Sequence, residues 1–354
     1  MDDFSDRIID WQRRHGRHTL PWQNTHDPYR IWLSEIMLQQ TQVATVIPYY
    51  ERFLQRFPTI VDLARAPEED VMALWAGLGY YSRARNLHAC ARRVDTEWNG
   101  RFPPDAAAIA ELPGIGRSTA AAIAAFAYGE RSPILDGNVK RVFARYFGIE
   151  GDPTKRPVEM RMWALAETHL PPPGPDAADA MRSYTQGLMD LGATLCTRGN
   201  PDCGVCPVRA GCVALREARQ HELPTPRERK AVPERRTGML VIEKAGEILL
   251  QRRPSPGIWG GLWSLPEFPG DDAAAACLTL GVTAAAAARL PTFSHGFTHF
   301  KLHIEPWHVQ AGALALRDDG VPQIWLPAGE LEGAALPAPV KKLLQGLFRR
   351  GELL

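Results

Sequence analysis

Two carboxylates and four thiols are the residues of this sequence best placed to do chemistry. Glu35 lies in WLSEIMLQQTQV, on a run otherwise lined by Trp32, Leu33, Ile36, Met37 and Leu38. A carboxyl buried there would have a raised pKa and could hold a proton near neutral pH. On periodicity alone it could equally be half-exposed and solvated. Asp136 follows an apolar tripeptide in SPILDGNVKR and precedes a helical pattern. It could simply cap a helix starting near Val139, and capping would also fix the direction of the carboxylate. Such a pair suits acid–base chemistry in which one carboxyl holds a proton for a leaving group and the other stays ionised beside developing positive charge.

The four thiols are Cys196, Cys203, Cys206 and Cys212, spaced C-x6-C-x2-C-x5-C; Cys90 and Cys277 stand apart. A disulfide scaffold suits a chain this long poorly, whereas a metal site in a reducing cytosol is ordinary. Zinc takes four sulfurs, usually from two C-x2-C pairs, and only one such pair is present. The wider, uneven spacing suits an iron–sulfur cluster. Cluster, zinc and unliganded thiols all stay open on the spacing alone. Four histidines (His295, His299, His303, His308) raise a further zinc alternative, but no cysteine or carboxylate joins them convincingly.

These groups need a frame. Apolar residues recur at helical spacing in 29–57, 68–78, 83–98, 105–111, 117–128, 138–147, 156–170 and 176–192. Residues 1–218 therefore predict a helical piece. Residues 219–236 hold six Arg/Lys against three Glu, with almost no large apolar residue, and read as a linker. Beyond it, TGMLVIE and EILLQRR flank a short turn and predict a β-hairpin. Strands are expected at 262–268 and 297–305, with Phe300, Leu302 and Ile304 on one face. Helices are expected from 271–289 and 337–349. Residues 237–354 thus predict a separate α+β domain.

The chain has 354 residues, 45% hydrophobic and 23% charged, which accommodates two domains and excludes wholesale disorder. The first twenty residues contain no apolar run, so a signal peptide is not expected, and no stretch is apolar enough to predict a membrane span. The net charge of +1 means that any nucleic-acid surface must be local. Arginine supplies 34 of the 41 basic residues, which a GC-rich coding bias explains without invoking phosphate binding.

Residues 112–120 read LPGIGRSTA. Gly114 and Gly116 allow a tight turn, Ile115 can bury between flanking helices, and free N–H groups at a helix start suit a phosphate. Arg117 adds a positive charge. An ordinary αα-turn is the bland alternative.

The cysteine spacing, this turn, and the segments SEIMLQQTQVATVIPYYERF, GLGYYSRARNLH and PILDGNVKR together resemble the endonuclease III and MutY family of DNA glycosylases, most closely its adenine-excising branch. The resemblance implies an all-α helix–hairpin–helix glycosylase domain over 1–218, with the hairpin at 112–120 and an iron–sulfur loop at 196–212. It implies one 4Fe–4S cluster on Cys196, Cys203, Cys206 and Cys212, whose loop turns Arg198 and Arg209 toward DNA. Glu35 would protonate adenine N7 and later handle the water. Asp136 would stabilise the sugar cation or bond to it transiently, with Asn138 orienting these groups.

By the same resemblance Gln40, Thr41, Leu78 and Tyr80 probe the opposite strand. Gly114, Gly116, Arg117, Ser118 and Lys140 grip DNA, with Arg141 and Arg145 as further phosphate contacts. Trp22, Gln23 and Gln186 line an adenine pocket, where some relatives carry Arg and Glu in place of the two glutamines. Lyase members carry a lysine at position 118; Ser118 cannot form a Schiff base, so base removal without strand nicking is expected. The alternative is a bifunctional endonuclease III-like glycosylase/AP lyase.

GGLWSLPEF and the hairpin before it resemble the Nudix-like domain of this branch. After Gly260 only Glu267 appears where a working Nudix box needs R-E-x2-E-E, so recognition rather than hydrolysis is expected. Phe297, Thr298 and His299 would touch 8-oxoguanine. The implied partner is double-stranded DNA carrying A:8-oxoguanine or A:G mismatches, met by a monomer in the bacterial cytoplasm at the nucleoid.

Overall fold

The computed structural model describes residues 3–227, 231–254, 257–269, 272–297, 299–315 and 320–348. Two compact units result: Met1–Ala66 with Asn86–Arg229, and Pro67–Arg85 with Lys230–Leu354. Residues 67–85, expected with the helical piece, therefore group with the sheet.

In the first unit, α1 (Phe4–His15), α2 (Pro28–Leu38), α3 (Val43–Arg56) and α4 (Ile60–Arg65) come first; α5 (Glu68–Trp75) belongs to the second unit. Then follow α6 (Ser82–Glu97), whose first turn is grouped with the second unit, α7 (Ala106–Ala110), α8 (Arg117–Tyr128), α9 (Gly137–Tyr146), α10 (Arg156–Thr168), α11 (Ala177–Asp190) and α12 (Val213–Arg216). The run read as 29–57 is two helices. Gln40 adopts φ 58°, outside the helical region, and separates them. Helices α1 and α4 carry no long apolar run and escaped the sequence reading. Thr59 and Asp62 start α4 by capping each other's backbone N–H groups.

Local chemistry explains why the site-bearing helices form where they do. Asp27 caps α2 by accepting from the Tyr29 N–H at 2.9 Å, and Pro28 sits at the first helical position. Seven of its eleven residues are buried, so α2 is an interior helix rather than an amphipathic surface one. The alanines of α8 keep its girth small, and it packs against α2, α7 and α11. Phe4 anchors the core around α9, with ring centroids 4.5 Å from Tyr146 and 6.0 Å from Phe143.

The segment read as a linker is tied down at its start. Leu223 is buried and its carbonyl accepts from Arg145 at 2.9 Å, while Thr225 Oγ1 accepts from the Gly151 N–H. At its other end, strand pairing already begins at Glu234.

In the second unit, β1 (Glu234–Lys244) and β2 (Glu247–Arg252) form the expected hairpin. The stretch 262–268 splits into β3 (Trp263–Ser264) and β4 (Glu267–Phe268) around Pro266, which has no N–H to give a ladder. Helix α13 (Ala273–Thr279) is followed by β5 (Val282–Arg289), then β6 (Phe293–Gly296), β7 (Lys301–Leu314), β8 (Gln323–Pro327) and α14 (Ala338–Phe348). The sheet order is β3-β2-β1-β7-β5, with β1 and β7 parallel. Met239–Ile242 at its centre are buried. Val282–Arg289 was expected to be helical, and the structure overturns this. Gly281 at φ 75° ends α13, and pairing with β7 holds the alanines extended against their intrinsic preference. Among the described residues no helix is long and apolar enough to cross a membrane.

Candidate functional site

A cavity of about 190 Å³ opens in the helical unit, lined by Trp22, Gln23, Glu35 and Gln186 among others. Three separate stretches of sequence thus converge on one space. Glu35 reaches it from α2, together with Ile31, Ser34 and Leu38 of the same helix. Burial pushes the Glu35 carboxyl up to about 8, and the nearby Asp136 charge adds to the rise. Asp136 is the N-cap of α9 and accepts from the Val139 N–H at 2.8 Å. Burial raises it too, but the N–H groups of Val139 and Asn138 and the charges of Arg141 and Lys140 oppose that rise. Glu35 has no such donors, so the proton shared by this neighbourhood belongs on Glu35 and the negative charge on Asp136. The carboxylates foreseen as a pair are therefore one electrostatic unit.

Around them, Ser118 Oγ accepts from the Leu135 N–H at 2.9 Å. Asn138 accepts from Arg141 at 2.9 Å and packs against Gly192, where a Cβ would come within 2.7 Å of the Asn138 Cβ. Gly192 belongs to a π-helical turn, Leu191–Leu195, that joins α11 to the cysteine loop. Such wide turns recur at functional sites.

At the hairpin, Gly114 has φ 77°, and a Cβ there would meet Asn86 Cβ at 2.7 Å. Ile115 is buried, and Gly116 caps α8. Arg117 is exposed, pairs with Glu167 at 2.6 Å and stacks 3.9 Å from the Trp163 ring. Lys140 pairs with Glu159 at 2.6 Å. The exposed Arg117–Glu167 pair is worth little to stability.

Arg141 and Arg145 are placed differently from the phosphate contacts expected of them. Arg145 is 3% exposed and spends its guanidinium on the carbonyls of Leu223, Thr197 and Arg198, with Cys196 Sγ at 3.3 Å. Arg141 donates to the carbonyls of Cys196 and Gly192. Their helix face turns toward the cysteine loop because that loop offers carbonyls with no helical partner.

Cys196, Cys203, Cys206 and Cys212 line one small apolar cavity. Burial pushes Cys206 up to about 12 and raises Cys212. Among the described residues no three thiols, imidazoles or carboxylates gather tightly enough to grip one ion. Four thiols around one small apolar cavity are a donor set that fits a multi-iron cluster. Arg198 and Arg209 are exposed on this loop.

The second unit holds a separate cavity of about 570 Å³, lined by Tyr80, Tyr81, Trp259, His295, Phe297 and His299 among others. Tyr80 is 46% exposed at φ 50°. Leu78, expected to probe the opposite strand, is 5% exposed, in a turn where Gly77 and Gly79 adopt φ 96° and 78°. In the first unit, Gln40 is exposed and Thr41 Oγ1 lies 3.4 Å from the Gln39 carbonyl. Thr298 lies outside the described residues. Trp259 was not singled out in the sequence, and His295 entered there only as part of a possible zinc group. His295 rings lie 4.8 Å from Phe297 and 5.7 Å from Trp259. His303 bonds Ser294 and Glu234, and His308 bonds Glu243. The half-buried Arg17, which lines the first cavity, and the buried Asp190 it pairs with were not singled out in the sequence; a charged residue inside the apolar LMDLGATL was the sign.

A family model for HhH-GPD superfamily base excision DNA repair proteins matches residues 33–168, and one for the NUDIX domain matches 237–346. Fold and site together define a base-excision DNA repair protein of the helix–hairpin–helix class with an added Nudix-like domain. The chain belongs to the adenine DNA glycosylase family. It is 35% identical over 345 residues to adenine DNA glycosylase of Buchnera aphidicola subsp. Schizaphis graminum, covering 97% of this chain and 98% of that one. Against adenine DNA glycosylase of Homo sapiens it is 36% identical over 317 residues, 74% of this chain and 57% of that protein. A solved thermostable thymine-DNA glycosylase is 31% identical with a TM-score of 0.53, covering 60% of this chain and 95% of that chain. Endonuclease III trapped covalently on DNA, 20% identical with a TM-score of 0.50 over 60% of this chain and 94% of that one, shares the fold.

Proposed function

We propose that this chain is a monofunctional DNA glycosylase of base excision repair. It hydrolyses the N-glycosidic bond of adenine opposite 8-oxoguanine or guanine in double-stranded DNA, acting as a monomer in the bacterial cytoplasm. The observation that carries this reading is a proton-holding Glu35 on a base-sized cavity, with the Asp136 carboxylate close enough to raise it.

The target nucleotide must leave the stack, as it does in glycosylases generally. With adenine in the helical unit's cavity, Glu35 donates its proton to N7, and the base departs neutral. Positive charge then builds on the deoxyribose, where Asp136 stabilises it or bonds to it transiently. Glu35, now ionised, accepts a proton from the incoming water. Asn138, held by Arg141, keeps the start of α9 in place. Ser118 supplies no amine, so no Schiff base forms and the strand stays intact after base loss.

Cys196, Cys203, Cys206 and Cys212 would hold one 4Fe–4S cluster, which when bound ties the loop 196–212 together and takes no part in acid–base chemistry. The exposed Arg198 and Arg209, the hairpin amides near Gly114 and Gly116, and Arg117 and Lys140 are assigned to phosphates. The aromatic cavity of the second unit, with Tyr80, Phe297 and His299, is assigned to the oxidised guanine; Gln40 and Thr41 are assigned to the opposite strand.

The test is a duplex bearing one A opposite 8-oxoguanine, incubated with protein and then treated with alkali. Cleavage at the adenine only after alkali is the expected result. Cleavage without alkali would establish a lyase, and no adenine release would refute the proposal.

A further inference from the structure

The turn that carries Tyr80 is bound from its buried side by two side chains. Trp75, fully buried on α5, donates from Nε1 to the Gly79 carbonyl at 3.0 Å. Arg83, 8% exposed in the first turn of α6, donates from Nη2 to the same carbonyl at 3.2 Å and to that of Leu78 at 3.4 Å. The Arg83 N–H also donates to the Tyr80 carbonyl at 2.8 Å. The peptides on both sides of Tyr80 are thus held.

This bracing answers a strain. Tyr80 stands at φ 50°, in the left-handed region that a bulky side chain rarely adopts, and such a conformation persists only where its surroundings over-determine it. The Arg83 guanidinium also lies over two aromatic rings, its carbon 5.4 Å from the Tyr80 centroid and 5.2 Å from that of Trp75. A ring face attracts a cation, and a planar guanidinium can lie over it while donating in its own plane. Burial pushes Arg83 down to about 10, so it keeps its charge at neutral pH. Tyr80 nonetheless stays 46% exposed on the aromatic cavity. Its backbone is locked and its ring is backed, yet much of the ring is left bare.

We infer that Arg83 is a positioning residue, which together with Trp75 holds Tyr80 as a preset plate for stacking against the base opposite the target adenine. This inference rests on the proposed function, which assigns Tyr80 to that base. A ring set in place before contact loses little freedom on binding, so more of the stacking energy reaches the affinity. Arg83 itself is buried and acts through Tyr80. Lysine cannot replace it, because a point charge on a flexible stem gives neither the planar fork for two carbonyls nor a flat face for the ring. The acid and the carboxylate of the chemistry, Glu35 and Asp136, belong to the first unit. Arg83 therefore governs how tightly the duplex is held and leaves the rate of bond cleavage in the bound state alone.

The experiment measures single-turnover adenine release from a duplex with one A opposite 8-oxoguanine, over a range of concentrations of the cluster-bearing full chain. Wild type, Arg83→Met, Tyr80→Ala and the double variant are compared. Arg83→Met should raise the half-saturating concentration about tenfold, within the range of one base–aromatic stack, and leave the saturating rate unchanged. Tyr80→Ala should raise it at least as much. In the Tyr80→Ala background, Arg83→Met should add less than about twofold, because no ring is left to position. Arg83→Lys keeps the charge and the stem and should still lose the affinity; should the methionine variant fail to fold, the lysine variant carries the same cycle. An unchanged half-saturating concentration, a fall in the saturating rate, or a tenfold effect that persists without the Tyr80 ring would each overturn this inference and leave the proposed function standing. If wild type releases no adenine at saturation, the proposed function itself fails.

Discussion

The Ser118 hydroxyl accepts a hydrogen bond from the Leu135 amide at 2.9 Å, one residue before Asp136. The second residue of α8 therefore holds the loop that delivers the α9 carboxylate. Ser118→Ala would leave that amide without its partner, at a cost of about 1 kcal/mol of stability. Excision should slow severalfold in the chemical step, by more than duplex affinity falls. Single-turnover rates alongside a binding titration check this; an unchanged rate would show that Asp136 needs no such tether.

Glu35 gives a signed expectation for pH. Its carboxyl titrates near 8, so the acid form, and with it excision, should fall as pH climbs past that value. Excision should also fall in acid, as Asp136 takes a proton. For stability the sign is distinct. A carboxyl raised from 4.5 to about 8 holds its proton more tightly when folded, so its favourable contribution is full below 4.5 and is lost as pH rises toward 8. Glu35→Gln should abolish excision, keep DNA binding, and raise the melting temperature relative to wild type more in mild alkali than in mild acid. Calorimetry at two pH values settles the second point, and equal shifts at both would mean that Glu35 is not buried in its charged form.

Asp136→Asn keeps the cap geometry but removes the charge. Its Oδ1 can still accept from the Val139 N–H, so α9 should remain in place. Excision should fall by about 10²–10³, the scale for losing one group aimed at transition-state charge. Pre-steady-state adenine release with unchanged thermal stability is the expected combination.

Cys206→Ser tests the metal centre apart from the chemistry. The variant should purify with less iron and sulfide, lose visible absorbance and melt earlier, because ligand binding is linked to folding of the loop. Full iron content would remove Cys206 from the ligand set.

How far the sequence reached follows from what kind of signal each feature left. Glu35, Asp136 and the four cysteines stood out because a charged or reactive side chain in an apolar or tightly spaced setting is chemically conspicuous. The helices of the first unit were mostly legible from a 3.6-residue period. Its boundaries were not where a single residue, Gln40 at φ 58°, interrupts an unbroken apolar pattern. Alanine misled in Val282–Arg289, since an edge strand paired along β7 imposes its conformation from outside the segment. Arg141 and Arg145 looked like phosphate ligands because sequence shows charge without direction; their fork-shaped donors turn inward to loop carbonyls. Asp190 stayed hidden for the same reason: only packing shows that its carboxylate faces Arg17 and Gln186.

Gly192 carries one further implication. With only 2.7 Å between its missing methyl position and Asn138, and with its carbonyl held by Arg141, it is the point where the metal-bearing loop leans on the helix that presents Asp136. Any amino-acid substitution here, even alanine, would press on the start of that helix. A lineage acquiring it would lose repair without touching a ligand, an acid or a contact to the genome.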